Sequence, residues 1–437
     1  MKRLRFILGI IILLLTSLTS EGKQKSTFVR VENGHFIRNG KPYFYVGANY
    51  WYGAILGSPG KEGNRQRLRE ELDIMKANGI DNLRILAGAE GPDGEPRRVS
   101  PALQTAPGVY NQDLLEGLDY LLAEMAKRKM VAVLFLNNAW EWSGGFSQYV
   151  SWSQKKPIPY PEVDGHTWGE FMAFSGSFHQ CAECKELFRN HIKFMLSRTN
   201  KISGVAYAND PTIMSWELAN EPRAFNNANK EPFVKWVQET ASYIKSLDPY
   251  HLVTVGSEGK AGCENDILLF EKIHAPKEVD YMTVHIWPYN WGWLKPDNMA
   301  GTIDLAIENT GKYIDEHLVV AHKLNKPLIF EEFGLPRDGF VFTPGSPVTF
   351  RDKYYEYSFD RVLESIKKKD LMVGVNFWAF SGSGRPNPSR EKNMWQSGDD
   401  YLGDPPQEAQ GLNSVFVNDQ TMKIIKKYND QIKKASK

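Results

Sequence analysis

The sequence predicts an α/β protein built as a single (β/α)8 TIM barrel, on three observations. Eight short strand-like runs recur along the chain, amphipathic helical stretches alternate with them, and no linker or low-complexity segment divides the chain. At 437 residues, 42% hydrophobic and 24% charged, the chain can bury a large core. Length alone would allow two or three domains, but one barrel routinely takes this many residues.

Taken in order, the strand runs lie at 43–51, 82–87, 131–138, 213–221, 251–258, 281–288, 327–334 and 372–380. Runs such as Val131-Ala-Val-Leu-Phe-Leu136 are apolar on both faces, as parallel strands covered by helices require. Helical periodicity, with apolar residues three or four apart, marks 65–78, 114–129, 185–198, 233–247, 303–324 and 354–369, and 421–437 reads as a closing helix. Ahead of the first strand, Asn33-Gly34 and Asn39-Gly40 signal turns between short alternating segments, which predicts a β-hairpin cap on the bottom of the barrel. The barrel proper is expected over 28–437, with a long loop after the last strand.

Residues 1–22 read as a signal peptide: Lys2, Arg3 and Arg5, an apolar run over 6–15, then small polar residues. The run is short for a membrane span, and no other stretch approaches one. No cysteine follows it to accept a lipid. The mature chain is therefore expected to be secreted or periplasmic, without a membrane anchor. Lys and Arg number 53 against 52 acidic residues, so no field attracts a polyanion and a nucleic-acid partner is disfavoured. Twelve Trp and nineteen Tyr instead suit a neutral, hydroxylated ligand. Cys181 and Cys184 resemble half a zinc site with no second half; free thiols or a local disulfide are the simpler readings, and no metal is assigned.

A barrel assembles its active site from the C-terminal ends of its strands. The fourth run closes with Trp216-Glu217-Leu-Ala-Asn220-Glu221-Pro222-Arg223 and the seventh with Phe330-Glu331-Glu332-Phe333-Gly334. Glu221 and Glu332 would face each other across the mouth, the pairing that glycosidic-bond hydrolysis needs. Glu217, four positions before Glu221, is read as a buried structural acid paired with a base. Of Glu331 and Glu332, strict alternation lets only one look inward.

These motifs resemble glycoside hydrolase family 5, and within it the endo-β-1,4-mannanases, over about 28–416. The resemblance implies Glu221 as acid/base and Glu332 as nucleophile. It implies that Asn220 holds the 2-hydroxyl of the bound sugar, that Arg84 in Leu83-Arg84-Ile85 hydrogen-bonds the nucleophile, and that His285 in Thr283-Val-His285-Ile-Trp287-Pro288 is the active-site histidine. Trp378 in Asn376-Phe-Trp378 is the implied sugar platform. Mannanase-like segments include Gly47-Ala-Asn-Tyr-Trp51, Asn137-Asn138-Ala-Trp140, Trp287-Pro-Tyr-Asn-Trp291 and the loop 395–416. Asn137 and Asn138 stand where the family's cellulases commonly carry histidine, and Trp287 stands where much of the family has tyrosine.

The implied function is retaining, endo-acting hydrolysis of β-1,4-mannosidic bonds in mannan, galactomannan or glucomannan. The two carboxyls are expected ~5–5.5 Å apart, Glu332 ionised beside Arg84 and Glu221 protonated in a less polar setting. Trp378, Trp140, Trp287 and Trp291 are expected to stack on sugars along an open groove, and Arg223 to hold the strand-four loop or touch sugar. No cofactor is required, and a monomer is the default. The alternatives are a β-1,4-glucanase and, from another class, a non-catalytic carbohydrate-binding barrel.

Overall fold

The computed structural model describes residues 27–95 and 97–436, so the expected signal peptide lies outside the described residues. Eight parallel strands form the central sheet: β1 (Tyr45–Asn49), β2 (Asn82–Leu86), β3 (Val131–Phe135), β4 (Ile213–Glu217), β5 (Leu252–Thr254), β6 (Met282–His285), β7 (Leu328–Glu332) and β8 (Met372–Phe377). Every residue in them is buried, as strands that face a filled lumen on one side and helices on the other must be. The ladder runs β5-β4-β3-β2-β1-β8-β7-β6.

The barrel closes between β5 and β6 through a seam stitched partly by side chains. The Asp280 amide donates to the Val253 carbonyl at 2.8 Å. The Asp280 carboxylate in turn accepts the Val253 amide at 2.7 Å, and Thr254 Oγ1 donates to the Tyr281 carbonyl at 3.0 Å. Backbone groups that a regular ladder would pair are thus satisfied.

The two Asn-Gly turns build two hairpins rather than one. Asn33 and Gly34 take φ of 50° and 75°, Asn39 and Gly40 of 52° and 74°, the paired left-handed geometry of tight hairpin turns. The result is a three-stranded antiparallel sheet of Arg30–Glu32, His35–Arg38 and Lys41–Pro42. Its Phe36 is fully buried in a cluster with Tyr45, Val131, Met214, Leu252, Ile329 and Val373 from the strands and Tyr281 just before β6. It plugs the lower end, so ligand access falls to the upper rim.

Six of the expected helices form, displaced at their ends by a few residues, and the chain closes on helix Gln420–Ala435. Periodicity missed the helices Gly145–Gln154 and Trp168–Gly176 between β3 and β4, and Ile267–His274 between β5 and β6. The first buries polar Ser147 and Gln148 as well as Phe146 and Tyr149, so it lacks a clean apolar stripe. Cys181 and Cys184 are joined in a disulfide at the start of helix Ala182–Leu196, while Cys263 is a buried free thiol. The loop after β8 is organised by buried Asp404, which accepts the amides of Gly411 and Asn413 at 2.8 and 2.7 Å. That folding carries Pro405, Gln407 and Glu408 over the barrel mouth.

Candidate active site

The strands stop one to four residues short of their expected ends, and the chemistry sits where the ladder gives way to rim loops. Arg84 on β2 is the hub. Fully buried, it donates two hydrogen bonds to Glu217 at 2.6 and 2.9 Å, one to Asn220 Oδ1 at 2.8 Å and one to Asn49 Oδ1 at 3.1 Å. It also donates to Glu332 and lies 4.6 Å over the Phe135 ring. Glu217 is the buried structural acid that its spacing suggested. Desolvating two charges is costly, and this bidentate geometry offsets it.

Beyond β4, Asn138 Oδ1 accepts from Asn220 Nδ2 at 3.1 Å and from the Trp140 amide at 3.0 Å, locking the loops after β3 and β4 together. Glu221 follows in the left-handed region at φ 49°, a conformation of order 1 kcal/mol or more above the usual basins for such a residue. The network holding Asn220 enforces it, and it turns the Glu221 carboxylate into the barrel mouth. There Glu221 accepts hydrogen bonds from Trp140 Nε1 and from His285 Nδ1, the latter at 2.8 Å.

Glu332 ends β7. One oxygen takes Arg84, and the other lies 3.4 Å from His285 Nδ1. One oxygen each of Glu221 and Glu332, with one nitrogen of His285, fall within 4.8 Å of one another. That proximity suits a double displacement, in which one carboxyl attacks directly and the other handles the proton. The same three groups would be compact enough to ligate a cation, but the Arg84 guanidinium beside Glu332 already supplies positive charge.

Glu331 corrects the expectation that only one of the two adjacent acids faces inward. Val284 pairs with Phe330 and His285 with Glu332, so Glu331 is the extra residue of a bulge and alternation lapses there. Its carboxylate lies 3.6 Å from Arg84 Nε and 3.4 Å from His285 Nε2, beneath Glu332.

The protonation pattern also departs from expectation. Burial works against a charged His285, but Glu332, Glu221 and Glu331 surround the ring and raise it to about 10. Burial pushes Glu332 up to about 7 against the pull of His285 and Arg84. For Glu221 burial is outweighed by His285, Arg223 and Trp140, which hold it below the usual carboxylate range. The surrounding carboxylates thus favour the charged form of His285, and its hydrogen bond favours the ionised form of Glu221. The groups titrate as a coupled set, and contact with three carboxylates raises the proton affinity of His285.

Above these groups opens a cleft of about 570 Å³. All four anticipated tryptophans, Trp140, Trp287, Trp291 and Trp378, line it, together with Asn220, Glu221 and Glu332. Trp378 is only 4% exposed and packs edge-on to Trp287 and Trp142 at 6.1 and 6.2 Å, so it offers a narrow strip of ring as a platform. Arg223 ties the loop after β4 to its surroundings, pairing bidentately with Glu258 and lying 4.8 Å over the Trp140 ring, and it lines the cleft.

Sequence reasoning missed several lining or supporting groups. Asn49 anchors Arg84 and donates to the Glu331 carbonyl at 2.9 Å; it sat in a quoted motif but carried no charge to mark it. Glu258 closes the fifth run as Glu221 closes the fourth, and that parallel was the available signal. Glu141 and Glu408 face the cleft from loops that no local pattern predicts, each with a buried oxygen lacking a protein partner. Arg97 bridges loops across the rim, donating to Glu162 at 2.9 Å and to the Gln407 carbonyl at 3.4 Å.

Two convergent carboxyls on β4 and β7 rims, an oriented proton donor and an aromatic cleft define a glycoside hydrolase. The glycoside hydrolase family 5 β-mannosidase-like model matches residues 26–437, and the chain belongs to that family. A putative mannan endo-1,4-β-mannosidase 9 of Oryza sativa subsp. japonica is 30% identical over 371 residues, 82% of each chain. A family 5 mannosidase from Rhizomucor miehei, solved with mannosyl-fructose, superposes with TM-score 0.86 at 37% identity, covering 94% of this chain and 99% of that one. The endo-1,4-β-D-mannanase of Thermotoga petrophila gives TM-score 0.64 at 26% identity, covering 89% and 99%.

Proposed function

We propose that the protein hydrolyses internal β-1,4-mannosidic bonds of mannan, galactomannan or glucomannan with retention of configuration, acting as a monomer. The observation that carries the reading is the 4.8 Å convergence of Glu221, His285 and Glu332 at the rim. The relatives' mannan-degrading activities supply the substrate class. The signal-like residues 1–22 support export to the periplasm or medium.

A sugar lying on Trp378 presents its anomeric carbon to Glu332. Arg84 and His285 hold the ionised Glu332 carboxylate until its oxygen bonds to the anomeric carbon, and the electron pair of the broken glycosidic bond passes to the leaving oxygen. His285 hands its proton through the 2.8 Å contact to Glu221, which delivers it to the leaving oxygen. That leaves a glycosyl ester on Glu332. Glu221, now a base, activates water, the ester hydrolyses and the proton returns to the pair. Asn220 is held by Arg84 and Asn138 so that it can meet a hydroxyl of that sugar. No cofactor enters any step.

Incubation with mannan, galactomannan, glucomannan and carboxymethylcellulose, followed by product sizing, tests the reading. Manno-oligosaccharides of mixed length are the expected products. Cleavage of the glucan alone would replace it with a cellulase.

A further inference from the structure

Outside the cleft, the Cys181–Cys184 disulfide stands beside the loop that carries Glu221. Its partners are three apart in sequence, and so short a ring removes little entropy from the unfolded chain. Its place in the fold therefore says more than any contribution to global stability. The bridge closes the corner between the 3-10 turn Ser177–Gln180 and helix Ala182–Leu196. The two residues just before it reach the loop after β4. His179 Nε2 donates to the Arg223 carbonyl at 2.6 Å. Gln180 Nε2 donates to Asn229 Oδ1 at 2.8 Å, and Asn229 Nδ2 in turn donates to the Ala224 carbonyl at 3.0 Å. Arg223 and Ala224 directly follow Glu221-Pro222, and the left-handed backbone of Glu221 at φ 49° has to be held from both ends. Asn220 holds it on one side; the corner of His179 and Gln180 holds it on the other.

Access to the bridge is one-sided. Cys181 is half-buried and Cys184 fully buried, so an incoming thiolate meets the Cys181 sulfur. A dithiol reductant would bond to that sulfur as the S–S bond breaks and Cys184 leaves, taking up a proton. The second thiol of the reductant then displaces Cys181, leaving two cysteine thiols and one reductant disulfide. The Cys184 amide donates to Cys181 Sγ at 3.0 Å, a cap that a thiol sulfur can still accept, so reduction frees the corner without unwinding the helix. We propose that the Cys181–Cys184 bridge is a redox-sensitive latch on the acid/base loop: closed, it fixes the contacts of His179 and Gln180 that keep Glu221 aimed at the mouth, and reduced by a dithiol it lets that loop move and turnover falls. The assignment rests on the role of Glu221 in the mannanase reading.

The test treats the folded protein with dithiothreitol, counts the freed thiols by mass after alkylation, and follows three readings before reduction, after it and after reoxidation: kcat and KM on mannohexaose, melting temperature, and amide hydrogen exchange over 220–229. A Cys181→Ser, Cys184→Ser double variant is measured alongside. Reduction should lower kcat by at least about fivefold with KM and melting temperature little changed, the scale of a misplaced catalytic group. Exchange over 220–229 should quicken, and reoxidation should restore both. The double variant should start at the reduced rate and ignore dithiothreitol. Four results overturn the latch: a bridge that dithiothreitol leaves intact, freed thiols with kcat and exchange unchanged, a loss of kcat that only tracks a fall in melting temperature, or an equal response to dithiothreitol in the double variant. A wild type that turns over no mannoside overturns the mannanase reading instead, and the exchange comparison still decides whether the bridge holds the loop.

Discussion

His285 Nδ1 lies 2.8 Å from Glu221 and 3.4 Å from Glu332, so a single N–H serves both reacting carboxyls. The imidazole is thereby placed as the proton store of the site, and it couples the charge of the acid to that of the nucleophile. Replacing it with asparagine should lower kcat roughly 10²-fold, the scale of a lost general acid–base relay, and should change the shape of the pH profile as well as its height. Steady-state rates across pH check this; a uniform drop with an unshifted profile would make His285 a packing residue.

The pH dependence has a defined sign. Attack needs Glu332 ionised, and burial raises its pKa to about 7, so kcat/KM should fall as pH drops through that value. Transfer needs the proton on His285, raised to about 10 by its three carboxylates, so activity should fall again above it. The profile expected is a bell whose acid limb lies above the ordinary carboxylate range. An acid limb near pH 4 would contradict the burial argument.

In the proposed mechanism Glu221 acts on the leaving group, so its replacement by alanine should hurt in proportion to how badly the leaving group needs a proton. With a mannan substrate, kcat should fall at least about 10²-fold, whereas 2,4-dinitrophenyl β-mannoside, whose phenolate departs unaided, should form the glycosyl ester almost normally. Pre-steady-state release of dinitrophenol reads the first step directly. Equal losses on both substrates would move the acid role elsewhere.

Arg84 holds Glu217 in a buried bidentate pair while also touching Asn49, Asn220 and Glu332. Removing it strands a buried carboxylate, which should cost about 3–5 kcal/mol of stability in denaturant unfolding as well as abolish activity. Arg84→Ala combined with Glu217→Leu should recover much of the stability and none of the activity. That split separates the residue's two roles.

Much of this was legible in the sequence because each signal was local. The Asn-Gly pairs specified left-handed turns, the apolar runs specified strands covered on both faces, and acids closing the fourth and seventh runs specified the pair that converges at the rim. What escaped depended on neighbours distant in sequence. Glu331 turned inward because of a bulge set by pairing with β6, which no alternation rule contains. The charged form of His285 is favoured because three carboxylates, one from the loop after β4 and two from β7, converge on one ring. Glu141 and Glu408 reach the cleft on irregular loops whose course is fixed by tertiary contacts such as those of Asp404.

The most direct test of a double displacement at Glu332 is the configuration of the first product. Following mannohexaose hydrolysis by proton NMR, before mutarotation scrambles the anomers, should show the β-anomer accumulating first. Initial appearance of the α-anomer would mean that water attacks directly across a wider carboxyl pair, and would contradict the geometry of Glu221 and Glu332.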